Sequence, residues 1–188
     1  MSRNLFIVSG PSGAGKGTLV KYMLDKYAEK GIFFSVSATT RAPRVGEKHG
    51  VNYLYITREE FTELLDNGGL LEYNILSTGD MYGTPREPLD KAMAEGRPCI
   101  LEIEPNGMRN AVKVYPDAIT VFVAPPSLEI LEKRIRGRGT ETEQQIQKRM
   151  TLAAEEMKTV GEYEHVIVND GLEEAVKEIS DIFARYID

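Results

Sequence analysis

Apolar positions along this chain alternate between short continuous runs and helical stripes. Leu5, Phe6, Ile7 and Val8 form a run of the kind that fills a buried strand, and Leu19, Val20, Met23, Leu24 and Tyr27 recur just after it at helical spacing. That helix is expected over about residues 15–30, with Gly31 as its stop. Residues 32–37 read as a second strand, and residues 50–57, with Tyr53, Tyr55 and Ile56, as a third. Thr57 and Glu60 have the spacing of a capping box ahead of the apolar face Phe61, Leu64 and Leu65. Residues 70–76 return as a strand carrying one acid, Glu72. Thr84, Pro85 and Glu87 look like a helix start with proline at the first helical position, and that helix should end near Gly96. A strongly apolar strand over 98–103, a helix over 105–114 and a strand over 118–124 follow. Ser127 is placed to cap a helix carrying Leu128, Leu131 and Ile135. Gly137 and Gly139 interrupt it, and Thr140 with Glu143 is the expected cap of the next. Residues 166–168 form a short strand, and Leu172, Ala175, Val176, Ile179, Ile182, Phe183 and Tyr186 mark the packing face of a last helix.

Strands alternating with helices predict an α/β fold, a parallel sheet with helices on both faces and ligands beyond the carboxyl ends of its strands. The stretch 37–96 departs from this rhythm, because short strands follow one another closely, and it is expected to be an inserted α+β lobe. With 188 residues, the chain can bury one sizeable core plus such a lobe. At 41% hydrophobic and 28% charged residues the composition is that of a folded globular protein. No apolar run approaches the roughly 20 residues that span a bilayer, and the start of the chain lacks a secretory pattern. Cys99 is the single cysteine, so no internal disulfide forms, and the cytoplasm is the expected location. A net charge of −6 argues against broad binding to nucleic acid, though a few arginines can still make one cleft positive.

The strand over 5–8 runs into Ser9-Gly10-Pro11-Ser12-Gly13-Ala14-Gly15-Lys16-Gly17-Thr18 and then into the first helix. Strand, glycine-rich loop and helix in that order are the setting of a phosphate-binding loop. Its N–H groups turn toward an anion, the helix adds its positive end, and Lys16 supplies a mobile charge for the outer phosphates. The hydroxyl residue that usually follows the lysine and holds Mg²⁺ is replaced by Gly17, with Thr18 one position later, so no metal ligand is assigned.

Arg41 and Arg44 lie in a polar, proline-containing segment near Tyr53 and Tyr82. Arginine forks with phenol donors would suit a second phosphate, and a solvated loop is the alternative. Glu72, in an apolar strand, needs a partner if buried. A guanine edge, with N1–H and the 2-amino group side by side, is one candidate, and exposure on an edge strand is the other. Arg134, Arg136, Arg138 and Arg149 flank the paired glycines. They read either as a lid that stabilises a moving phosphoryl group, over about 134–149, or as a basic helix end neutralised by Glu132, Glu141 and Glu143. His49 and His165 are expected to be structural or solvated.

Taken together, these segments resemble the guanylate kinases over nearly the whole chain, about residues 4–187. The resemblance rests on the loop at 9–18, Ser-Val-Ser-Ala-Thr-Thr-Arg-Ala-Pro-Arg at 35–44, Gly-Glu at 46–47 with Tyr53, Leu-Glu-Tyr at 71–73, Tyr-Gly-Thr at 82–84, Leu-Glu-Ile-Glu at 101–104, Arg-Gly-Thr-Glu-Thr-Glu at 138–143 and Val-Ile-Val-Asn-Asp at 166–170. It implies a P-loop nucleoside monophosphate kinase. Its core would be residues 1–36 and 97–188, its GMP-binding lobe 37–96, and its reaction ATP + GMP giving ADP + GDP, with Mg²⁺. By this similarity Gly10, Pro11, Ser12, Gly13, Ala14, Gly15, Lys16, Gly17, Thr18 and Asn169 would bind ATP, Asn169 near the adenine. Ser37, Arg41, Arg44, Tyr53 and Tyr82 would hold the GMP phosphate. Glu72 and Thr84 would read guanine, Thr84 through O6, with its capping role as the competing account. Glu102 and Glu104, where many members carry aspartates, would be the acids beside the site. Lys16, Arg134, Arg138 and Arg149 would serve the transferring group. A non-catalytic scaffold of the same fold, or a kinase for another nucleoside monophosphate, are the competing functions. The oligomeric state is left open.

Overall fold

The computed structural model describes residues 3–76, 78–137, 139 and 141–187. The apolar run at the start is β1 (Leu5–Ser9), every residue of it buried. It lies at the centre of a five-stranded sheet in the order β2 (Phe33–Ser35), β7 (Cys99–Glu102), β1, β8 (Ile119–Ala124) and β9 (His165–Val168). All four pairings are parallel. A continuous apolar run is what a central strand covered on both faces requires. Phe6 and Val8 face α1 (Lys16–Lys26) and α7 (Leu172–Ile187), where Leu19, Met23, Ile179 and Phe183 close the layer and Phe6 stacks on Phe183 at 3.8 Å. Leu5 and Ile7 face the other way, toward α3 (Arg86–Ala94) and α4 (Pro105–Val114), with Leu89, Met108 and Ala111. The first helix is shorter than its stripe implies. It ends at Lys26, a 3₁₀ turn covers Ala28–Lys30, and Gly31 closes it in the left-handed region at φ 65°.

The stretch between β2 and α3 builds a second, four-stranded sheet in the order β4 (Leu54–Tyr55), β3 (Ala38–Thr39), β6 (Met81–Pro85) and β5 (Leu70–Ile75). The strand expected over 32–37 is therefore two: β2 stays in the core sheet, and β3 begins the second sheet after a break at Val36 and Ser37. Of the strand expected over 50–57 only β4 forms. β6 shifts a second expectation by one residue, since the helix opens at Arg86 and Thr84 and Pro85 end the strand before it. Pro85 is the N-cap of α3 and no side chain caps it. Gly83 and Pro85 hide this strand from a reading by propensity. The glycine is needed, because a Cβ there would lie 2.9 Å from the Glu72 carbonyl and 3.1 Å from the Phe61 ring. Phe61 belongs to α2 (Arg58–Asp66), which has the expected Thr57–Glu60 capping box. α3 lies inside the stretch 37–96 yet buries Leu89 and Ala92 in the core layer.

α5 (Leu128–Arg136), capped by Ser127, and α6 (Glu143–Met157) share a small core of Leu131, Ile135, Ile146 and Ala153. The cap of α6 is Thr142 with Gln145 instead of Thr140 with Glu143, two residues later than expected; Thr140 itself lies outside the described residues. No helix among the described residues is long and apolar enough to cross a membrane.

Candidate active site

The loop between β1 and α1 is shaped by glycines whose backbones no other residue fits. Gly10 has φ 136°, and a Cβ on it would sit 2.1 Å from the Val123 carbonyl oxygen of β8. The loop therefore presses against the carboxyl end of the neighbouring strand, where ligands of open parallel sheets bind. Lys16 folds back over it: Nζ donates to the carbonyls of Gly10 (2.5 Å) and Pro11 (3.2 Å). Burial pushes the Lys16 ammonium down, and the carboxyls of Glu102, Glu156 and Glu104 counter that. Arg149, from α6, donates to Ser12 Oγ (2.8 Å) and pairs with Glu141 (2.9 Å). Arg134, from α5, donates to the main-chain carbonyls of Asn169 (2.9 Å) and Asp170 (3.5 Å). Arg138 lies outside the described residues. Thr18 and Gly17 are exposed at the start of α1. Asn169 is buried behind the loop, its side-chain amide on the Ala14 carbonyl.

Beside the loop opens a cavity of about 400 Å³ whose lining includes Ser37, Tyr53, Glu72, Tyr82, Glu102 and Glu104. Glu102 joins it to the loop: a Cβ on Gly17 would lie 4.0 Å from Glu102 Oε2. Burial raises the Glu102 carboxyl, and Lys16 opposes the shift. Glu72 stands on β5, and Thr84 Oγ1 on the paired strand β6 donates to its Oε1 (2.6 Å). Burial pushes the Glu72 carboxyl up, the Thr84 bond pulls it down, and Glu104 raises it further. Thr84 is fully buried and spends its hydroxyl on Glu72, so the capping account of this residue falls.

Arg41 is held in a frame. Its Nε donates to Tyr82 Oη (3.0 Å), its Nη2 to Glu47 (3.0 and 3.1 Å), and its guanidinium lies over the Tyr53 ring at 5.6 Å. Burial would lower Arg41, but the bonds to Tyr82 and Glu47 outweigh it. Glu47 in turn accepts from the Arg44 N–H and the Tyr55 hydroxyl, and these with Arg41 hold its carboxyl at about 2. Arg44 is exposed. His49 is structural, its Nδ1 accepting from the Tyr55 N–H at 3.2 Å.

Several residues here escape a reading by pattern. Asn106, Gly107 and Asn110 of α4 line the cavity, and Gly107 leaves room for Glu72, whose carboxyl carbon would lie 3.3 Å from a Cβ there. A glycine inside a helix costs about 1 kcal/mol against alanine, and that cost is the one signal the sequence carries for it. Glu156 faces inward from α6 near Lys16 and Glu104, and burial pushes its carboxyl up to about 7. An acid in line with the apolar positions Ile146 and Ala153 is its mark. Glu47 carries no signal beyond its place in the motif.

A nucleotide-sized cleft with a phosphate loop on one side and an arginine–tyrosine frame on the other is common to many phosphotransferases. The matched families decide between them: residues 2–186 match the family model of guanylate kinase. The chain belongs to the guanylate kinase family. It is 51% identical over 173 residues to the guanylate kinase of Synechococcus sp. (strain CC9311), covering 92% of this chain and 90% of that one. With the guanylate kinase of Synechococcus sp. (strain CC9902) it shares 50% identity over 93% of this chain and 92% of the other. The crystal structure of guanylate kinase from Anaplasma phagocytophilum aligns with a TM-score of 0.76 and 31% identity, over 100% of this chain and 88% of that chain. Within the family frame, the glutamates Glu102 and Glu104 stand at the end of β7 and at the N-cap of α4, between the loop and the cavity.

Proposed function

We propose that this chain moves the γ-phosphoryl group of ATP to GMP, giving ADP and GDP. The observation that carries it is the half-buried Glu72, held by the buried Thr84, in a cavity whose lining also includes Glu102, the acid that reaches the phosphate loop at Gly17. An ionised Glu72 accepts from guanine N1–H and the 2-amino group together, a donor pair that adenine lacks. Thr84 keeps that carboxylate oriented. Arg41, Arg44, Ser37, Tyr53 and Tyr82 are proposed to hold the phosphate of GMP, and residues 37–96 to act as the acceptor lobe on a core of 1–36 and 97–188. The loop residues Gly10 to Thr18 cradle the phosphates of ATP, with Lys16 on the outer ones.

The acceptor is itself a phosphate monoester, whose second pKa near ~6 leaves its oxygen ionised at neutral pH. No side-chain base is needed. The protein's tasks are to align the two phosphates, neutralise charge spreading over the moving group and keep water out. Lys16, Arg134, Arg138 and Arg149 are proposed for the second task, and the segment 134–149 for the third. Among the described residues no group of three or more His, Cys, Asp or Glu is placed to hold a metal ion. Glu102 stands beside the loop at Gly17, with Glu104 and Glu156 also near Lys16. That donor set fits Mg²⁺ arriving on the nucleotide, since this ion keeps waters and substrate phosphates as most of its ligands. When bound, it would neutralise charge on the phosphate oxygens. Cys99 is buried and alone in the sequence, in keeping with the cytoplasm as the proposed location.

A coupled ADP-release assay with ATP, Mg²⁺ and each nucleoside monophosphate in turn tests this reading. GMP should be strongly preferred, and Glu72→Gln should raise the KM for GMP about 10- to 100-fold, the range of a charged hydrogen bond, with that for ATP unchanged. Equal use of AMP or UMP would remove Glu72 and Thr84 from base recognition. A folded protein with no turnover on any acceptor would favour the non-catalytic scaffold.

A further inference from the structure

Asn169 ties three segments together. Its N–H donates to the Ala124 carbonyl (2.8 Å), continuing the pairing of β8 with β9. Its own carbonyl accepts from Arg134. Its side-chain Nδ2 donates to the Ala14 carbonyl at 2.7 Å, with the residue only 7% exposed. The contact depends on Gly15, since a Cβ there would lie 2.2 Å from Nδ2.

Three other carbonyls of the loop, those of Gly10, Pro11 and Gly15, are held from within it or from its own helix. Lys16 takes those of Gly10 and Pro11, Ala14 N–H also reaches that of Pro11, and the N–H groups of Thr18 and Leu19 take that of Gly15. The carbonyl of Ala14 is held from a residue 155 positions away. A peptide unit has two ends, so a carbonyl fixed outward fixes the next N–H inward. In a loop that binds anions through its N–H groups, such a fixed carbonyl sets the donor directions before the ligand arrives.

We infer that Asn169 is a positioning residue for the phosphate loop: its amide locks the Ala14 peptide so that the loop donors face phosphate oxygens, and it aids nucleotide binding through the phosphates and not the base. The inference rests on the reading of this loop as the ATP phosphate site. It differs from a place beside adenine, because the buried side-chain amide is turned to Ala14 and holds one of its N–H donors on that carbonyl.

Titration calorimetry on the full chain with Mg²⁺ and ATP, GTP or inorganic tripolyphosphate separates the two. Asn169→Ala should weaken all three ligands by one common factor, about 5- to 10-fold for a lost buried hydrogen bond, and leave the KM for GMP unchanged. Asn169→Asp should weaken them further, because a carboxylate oxygen then faces the Ala14 carbonyl; being the same size, it also answers the question if the alanine variant does not fold. A loss confined to ATP, with tripolyphosphate unaffected, would overturn the inference in favour of a base contact. A lowered melting temperature with all three affinities intact would overturn it in favour of simple packing. If the wild-type protein phosphorylates no GMP yet binds tripolyphosphate in an Asn169-dependent way, the kinase reading falls and the role of Asn169 stands.

Discussion

Glu156 sits on the inward face of α6, 8% exposed, with Lys16 and Glu104 as its charged neighbours. Burial lifts its carboxyl from the ordinary 4.5 to about 7, Lys16 pulls against that and Glu104 adds to it. Between those two values the folded protein keeps a proton that the unfolded chain has lost. Stability from this group is therefore fully present below about pH 4.5 and lost as pH rises through about 7. Across that range the loss comes to about 3 kcal/mol. Glu156→Gln should flatten this dependence, leaving the variant more stable than wild type near pH 8 and equal to it near pH 4.5. Urea denaturation over a pH series measures it, and parallel curves for the two proteins would refute it. A carboxyl kept at such a cost, next to the loop lysine, is a group that packing alone would have replaced with a leucine.

Among the elements, α4 has the most to reconcile, because it packs on the core sheet and lines the acceptor cavity together. Gly107 is where the two duties meet. Alanine there would favour the helix by about 1 kcal/mol but push its Cβ to 3.2–3.3 Å from the Glu72 side chain. Gly107→Ala should thus keep or raise the melting temperature while raising the KM for GMP several-fold. Unchanged GMP kinetics would mean that Glu72 moves aside freely. This conflict also explains what is legible in the sequence. β1, the phosphate loop and α1 announce themselves through neighbours along the chain, as do the Thr57 and Ser127 caps. β3 and β6 do not: one is two residues long, and the other contains Gly83 and Pro85 and exists because Tyr82, Gly83 and Thr84 find partners across β3 and β5. The α6 cap falls two residues from its expected place because Thr140 and Thr142 both precede an acid or amide by three residues, and local sequence ranks them equally. Contacts of Gly107, Glu156 and Asn169 span from 35 to 155 residues, beyond any local pattern.

For the whole molecule, the proposed ATP site rests on the core sheet while the proposed GMP site adds residues of the second sheet, and the two should be separable by stability. At a hundredfold excess over Kd a ligand adds about 2.7 kcal/mol, which for a chain of this size is roughly 5–10 °C in Tm. Lys16→Ala should lose at least half of the shift given by ATP and keep that given by GMP, as thermal melts would record; an intact ATP shift would remove Lys16 from the phosphates. The sheet order has a consequence of another kind, in the birth of the protein. β1 leaves the ribosome early, but its two partners are β7 and β8, with Leu5 opposite Cys99 and Phe6 opposite Ile119. At 5–20 residues per second, about 5 to 20 s pass before even β7 is made. During that interval the second sheet can close on neighbours already translated, while Leu5, Phe6, Ile7 and Val8 have no strand to join. The most buried segment of the finished enzyme is thus the longest exposed in the nascent one, and the segment on which a chaperone would have most to hold.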